Sequence, residues 1–251
     1  MSDTAEDGAL DLRPASDTPD LRGRLTAIGE ILLCSGVPTQ AALGIALSYF
    51  GRLPGNGSEG GLTLMFVVAV TLPDTIILIA LMTLLTRARG ESARALWLGR
   101  RPFAREAAVG LLLVPAVFAI VIVLLNGLRL LAPWLHNVET NPLERLAGNS
   151  AIDAALFAVV AIFAGGVREE LQRAFILRRF DCLGGPAVGV IVSSTAFGAG
   201  HWMQGWDAVI TTGALGAFWA VIYLRRGSSV APVVSHAGFN SLEILRVALM
   251  G

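Results

Sequence analysis

Lysine is absent from this 251-residue chain; all 19 basic side chains are arginine. Charge of either sign is scarce. Asp, Glu, Lys and Arg together make up 15% of the residues, where a soluble domain carries about 25%. The 19 acids balance the 19 arginines to a formal net charge of zero, which removes the basic surface a nucleic-acid partner needs. There are only two cysteines, Cys34 and Cys182. They lie far apart and match neither a disulfide framework nor a metal-ligand spacing. No H-E-x-x-H motif is present, and no serine or cysteine sits in a recognisable nucleophile setting. Internal repeats are absent as well.

What the chain has instead is apolar length. Apolar residues form 54% of it, and the mean hydropathy is +0.66. A membrane helix needs roughly 20 mostly apolar residues, and seven candidate spans follow: Ile31–Phe50, Leu62–Leu85, Ala107–Leu131, Ile152 to Phe180, Pro186–His201, Val209–Leu224 and Val230–Leu249. The expected fold is an all-α, polytopic transmembrane bundle of about seven or eight helices, its active site between the C-terminal ones. Residues 1–22 hold six acids and no large apolar run, the composition of a disordered acidic tail rather than of a signal peptide. From residue 23 onward we read one continuous membrane domain. Its first part, 23–150, holds the N-terminal transmembrane helices, with an interfacial segment at 92–102 where Trp97 lies among arginines as an interfacial anchor does. Its second part, 151–251, holds the polar helices.

Arginine placement orients these spans. With the tail inside, the inner loops carry twelve arginines, from Arg22 to Arg226, and the outer loops only Arg52 and Arg145. That is a strong positive-inside bias. It predicts a multi-pass plasma-membrane (inner-membrane) protein with a cytoplasmic N-terminus. An all-arginine basic set suits a GC-rich, bacterial source.

Polar residues inside membrane helices are costly and mark work. Glu169 and Glu170 stand side by side in the fourth span, with Arg173 three and four residues on. Phe197 and His201 share a helix face in the fifth, and His236 and Asn240 in the seventh, since residues four apart are helix neighbours. Their depths agree. Glu170 lies 14 residues before Gly184, and His201 lies 16 residues after Gly185, so each sits roughly 20–25 Å from the turn at about 1.5 Å per residue. His236 lies nine residues past Gly227. Two carboxylates, two histidines and an amide thus converge on one pocket. A carboxylate with a histidine can deprotonate water, and a histidine with an asparagine can donate to a developing oxyanion. Such parts suit water attack on an amide.

The three groups together resemble the CPBP family, the CAAX prenyl proteases and the Abi or bacteriocin-processing proteins. Its pattern is E-E-x-x-x-R, F-x-x-x-H and H-x-x-x-N on successive membrane helices. Phe197 to His201 and His236 to Asn240 match in full. The first motif departs: Arg173 comes one residue early, and Ala174 takes the expected arginine position. The resemblance covers Ile152 to the C-terminus and implies a glutamic intramembrane endopeptidase. In that reading Glu169 is the general base, helped by His201. Glu170 holds the site with Arg173 balancing its charge, His236 and Asn240 form the oxyanion hole, and Phe197 lines the substrate site. No cofactor is expected. A zinc protease using Glu169, His201 and His236 is the minor alternative, and a non-enzymatic immunity or transport protein is another. The expected partners are the lipid bilayer and a membrane-anchored peptide or protein substrate. Asp74, Glu30, Arg129 and Glu243 belong to no motif and are expected to be structural. Trp202 and Trp206 are expected to be interfacial anchors.

Overall fold

The computed structural model describes residues 21–49, 63–147 and 150–250. Among these residues every regular element is helical. The chain is an all-α polytopic bundle and a multi-pass membrane protein. In order, the elements are α1 (Leu21–Leu33), α2 (Val37–Tyr49), α3 (Leu64–Ala88), α4 (Ala93–Leu98), α5 (Phe103–Leu131), α6 (Glu144–Ala147), α7 (Ala151–Val160), α8 (Glu169–Phe180), α9 (Gly185–Ala199), α10 (Trp206–Arg226) and α11 (Val230–Met250). A π-helical segment, Ala161–Arg168, joins α7 to α8 into one rod of 30 residues.

Among the described residues four helices are long and apolar enough to cross a membrane: α3, α5, the α7–α8 rod and α10. Broad lipid-facing surfaces explain why these read so clearly. Leu111, Leu112, Ile122 and Val123 on α5 are exposed, as hydrocarbon solvent allows. The expected first span needs correction. It is two helices, α1 and α2, meeting at a 42° bend, and the first of them starts at Leu21, ten residues before Ile31. Ser35 and Gly36 carry the reason. Gly36 takes φ +90°, a left-handed conformation that ends helices, and Pro38 then sits early in α2, where its missing N–H costs nothing. The tail expected over 1–22 falls outside the described residues except for Leu21 and Arg22, which are helical. Of the remaining expected spans, α9 is apolar but only 15 residues long, while α11 is 21 residues with His236, Asn240, Glu243 and Arg246 along it.

Glycine sets the helix spacing around the centre. A Cβ on Gly198 of α9 would lie 2.5 Å from the Val209 carbonyl oxygen and 3.0 Å from Gly213 Cα of α10. One on Gly166 would lie 2.6 Å from Ala237 Cβ of α11. Small residues at helix crossings are how membrane bundles gain close packing without a hydrophobic drive.

The arginine-rich edge is tied by charge. Arg226 donates two hydrogen bonds to the fully buried Glu106, at 2.6 and 2.7 Å. Arg179 joins Glu30 of α1 to Glu91, and Glu30 also takes Arg89 at 2.9 Å. Glu30 is therefore structural, as expected. Helix α4 lies over this edge, and Trp97, expected as an interfacial anchor, is tied into the protein. Its indole N–H donates to the Leu171 carbonyl at 3.1 Å, its own carbonyl accepts from Ser229 N at 2.7 Å, and its ring packs on Phe175, Leu177 and Tyr223. An indole finds its partner in protein when a carbonyl lies within reach.

Gly198→Ala is expected to push α9 from α10 and cost about 1–3 kcal/mol through overpacking against backbone. Thermal unfolding of the purified protein in detergent checks it.

Candidate active site

The site begins with a widened helical turn. The rod expected to run as plain α-helix from Ile152 opens into π geometry over Ala161–Arg168, and the Glu169 N–H reaches back five residues to the Ala164 carbonyl. Single π turns recur at functional sites. Gly165 and Gly166 lie at its centre. A Cβ on Gly165 would stand 2.6 Å from Asn240 Nδ2, so the glycine pair lets the polar face of α11 press onto the rod just before its glutamates.

The two glutamates then part company. Glu170 is 2% exposed. Its Oε1 accepts from the Arg173 guanidinium and from His236 Nδ1–H at 2.8 Å. Arg173 thus pairs with Glu170 across three residues despite its early place in the motif. Glu169 keeps a side chain 19% exposed. Its Oε1 takes Arg168 Nη2 at 3.2 Å, and its Oε2 lies 4.0 Å from His236 Nε2. Arg168 is held from behind by Asp74 of α3, Nη1 to Oδ2 at 2.8 Å. Asp74 is fully buried and also accepts from Thr39 and, at 3.2 Å, from Gln40 of α2. Each carboxylate of the adjacent pair therefore has its own guanidinium. This balance matters because an unpaired charge in low dielectric is far more costly than a paired one.

An aromatic frame fixes the histidines. His236 stacks on Trp219, centroids 3.9 Å apart and planes at 14°. The Trp219 indole N–H donates to Ser235 Oγ at 3.1 Å. Phe197 meets His201 edge-on at 4.9 Å and His236 at 6.1 Å, and the Arg173 guanidinium lies over its ring at 4.7 Å. His201 Nδ1–H donates to the Phe197 carbonyl at 2.8 Å. A carbonyl only accepts, so the neutral His201 ring keeps Nε2 as its acceptor.

These residues face a cavity of about 610 Å³ inside the bundle, lined by Glu169, Phe197, His201, Trp219, His236 and Asn240 among others. Glu170 and Arg173 stand behind its wall. The residues singled out in the sequence are thus brought together, but with different neighbours than expected. His236, read as an oxyanion donor beside Asn240, instead has one ring nitrogen on Glu170 and the other toward Glu169. Asn240 Nδ2 donates weakly to the Ala161 carbonyl at 3.5 Å. Asp74 braces the arginine that balances Glu169. Sequence reasoning passed over Arg168, Asp74 and Trp219. The available signal was an aspartate in the middle of an apolar span, the same rule that exposed the glutamates. Trp202 and Trp206 are exposed. Among the described residues no group of three or more His, Cys, Asp and Glu side chains is arranged to hold a metal ion. The Glu170 oxygen that faces His236 is already taken by a guanidinium.

Residues 151–242 match the family model described as type II CAAX prenyl endopeptidase Rce1-like. Over that segment the chain is similar to this family. The match starts at the first residue of α7 and ends two residues past Asn240, so the matched segment holds Glu169, Glu170, Arg173, Phe197, His201, His236 and Asn240. Asp74, which braces Arg168, lies outside it. No curated protein and no solved structure matches the chain.

Asp74→Ala strands Arg168 without its buried partner and is expected to cost about 3–5 kcal/mol. Asp74→Ala combined with Arg168→Met is expected to recover part of that loss. Unfolding of both variants in detergent, compared with the parent, checks the pair.

Proposed function

We propose that the protein is a glutamate-dependent intramembrane endopeptidase that hydrolyses a peptide bond of a membrane-associated substrate. One observation carries this reading: of two adjacent glutamates, only Glu169 faces the cavity, with a histidine nitrogen 4.0 Å away. The Rce1-like match over the same helices supports it.

In the proposed reaction a water lies against both Glu169 Oε2 and His236 Nε2. With Nδ1–H donating to Glu170, the neutral His236 ring offers Nε2 as a second acceptor. Glu169 draws the proton as the water oxygen attacks the substrate carbonyl, and the C–O bond forms as the carbonyl becomes an oxyanion. Asn240 Nδ2, which lines the same cavity, donates to that oxyanion and stabilises it. The tetrahedral centre then collapses. The C–N bond breaks, and the proton held by Glu169 passes to the leaving amine, giving a carboxylic acid and an amine. Glu170 and Arg173 hold His236 in place throughout. Relative to the pattern implied by the family, His236 moves to the water side, and His201 lines the same cavity. The N-terminus faces the cytoplasm in this reading, and no metal takes part.

Glu169→Gln keeps the shape and removes the base. It is expected to lower kcat on a membrane-anchored peptide by about 10²–10⁴-fold with little change in unfolding temperature. Equal turnover by the parent and the variant would end the proposal. Activity is also expected to survive a strong chelator, and its loss with recovery on added zinc would favour the metal reading instead.

A further inference from the structure

Among the described residues the cavity reaches the end of the bundle that has few arginines. From the middle of the bundle its lining extends to one end, along the start of α3 (Val67, Thr71), the end of α5 (Leu125, Arg129), the start of α10 (Asp207, Thr211) and the end of α11 (Glu243, Val247). Its rim is the connection from α5 to α7. That connection is pinned there by His136 Nδ1 to Asp207 at 2.8 Å, by Asn141 to Gln204 at 3.3 Å and by Asn137 accepting from Trp206 N at 3.0 Å. Glu169, Trp219 and His236 form the floor.

Below that floor the bundle is packed shut. Glu170 and Arg173 are buried beneath the cavity. Ala174, Leu177, Ala220 and Tyr223 then fill the space between α8 and α10, with Trp97 of α4 over them. Beyond this plug lies the edge tied by Arg179, Arg226 and Glu106. Arg87, Arg89, Arg94, Arg100, Arg101, Arg105, Arg178 and Arg225 also belong to the loops and helix ends of that edge. At the end the cavity reaches, the described arginines are Arg129, Arg145 and Arg246, and Arg246 is held by Glu243 and Glu144. Arginine-rich loops remain on the cytoplasmic side.

We infer that the site is reached from the extracytoplasmic face, so that its substrate is a peptide segment presented on that side of the membrane. This inference rests on the endopeptidase reading for the word substrate, but not for the side of access. It sets the chain apart from an enzyme acting on a cytosolic lipidated C-terminus, because such a segment would meet the packed plug and not the cavity.

The test is thiol labelling of the full-length protein in right-side-out and inverted membrane vesicles, with a membrane-impermeant maleimide. Glu139→Cys places a thiol at the rim and Thr212→Cys one within the cavity wall, both positions lining it. Arg94→Cys on α4 marks the opposite edge. Of the native thiols, Cys34 is buried, and Cys182, partly buried at the arginine-rich end, is replaced by serine in every variant. The expected result is labelling of Glu139→Cys and Thr212→Cys in right-side-out vesicles only, and of Arg94→Cys in inverted vesicles only. Labelling of the two cavity variants from the inverted side, from both sides, or from neither overturns the inference. A second arm adds an impermeant fluorogenic peptide to each vesicle type, with Glu169→Gln as the blank. Cleavage confined to inverted vesicles also overturns it. Sided labelling as expected with no Glu169-dependent cleavage on either side would remove the endopeptidase reading and leave the side of access standing.

Discussion

Two adjacent carboxylates inside a membrane bundle must each find a separate countercharge, and much of this structure follows from that constraint. Glu170 is held by Arg173 and His236, and Glu169 by Arg168. Arg168 in turn needs Asp74, and Asp74 needs Thr39 and Gln40. The network therefore draws in helices from both halves of the chain. It connects α2 and α3, which carry no motif of the catalytic type, to α8 and α11, which do. A buried pair repays its desolvation only when geometry and further hydrogen bonds are good. The polar residues of α2 supply part of that requirement from outside the matched segment.

The same network sorts the two glutamates. Adjacent residues on a helix point about 100° apart, so one side chain can be locked while its neighbour faces open space. Glu170 becomes an anchor for His236, and Glu169 keeps a free edge toward the cavity. The stacked Trp219 prevents the His236 ring from turning, and Phe197 separates it from His201. Exposure to the cavity and packing are thus divided between neighbours in the chain, and α11 approaches the π turn through Gly165 and Gly166.

Legibility in the sequence followed how local each property was. The glutamate pair, the Phe197–His201 face and the His236–Asn240 face were visible because a charged or polar group in an apolar run has no bland solvation to fall back on. Arg173 was visible, and its early position proved harmless because residues three apart on a helix still meet. The bend at Gly36 and the π turn at Gly165–Gly166 were missed as shape, although their glycines were in plain view. The tie of Trp97 to Leu171 and Ser229 was not legible, because an indole among arginines has the same composition whether or not it also meets a neighbouring helix. Asp74 was set aside because its partner stands 94 positions away, and no spacing rule reaches that far.

By itself the sequence determined that this chain spans a membrane as helices, which of its residues are too polar to be there idly, and which edge carries the arginines. These depend on composition and on the fixed rise and turn of a helix, and both are local quantities. Only the tertiary structure decided which glutamate meets the cavity, that His236 serves the carboxylates before anything else, and that the cavity extends away from the arginine-rich edge. Those outcomes are set by which side chains reach one another across helices once all are packed, and by where packing leaves space.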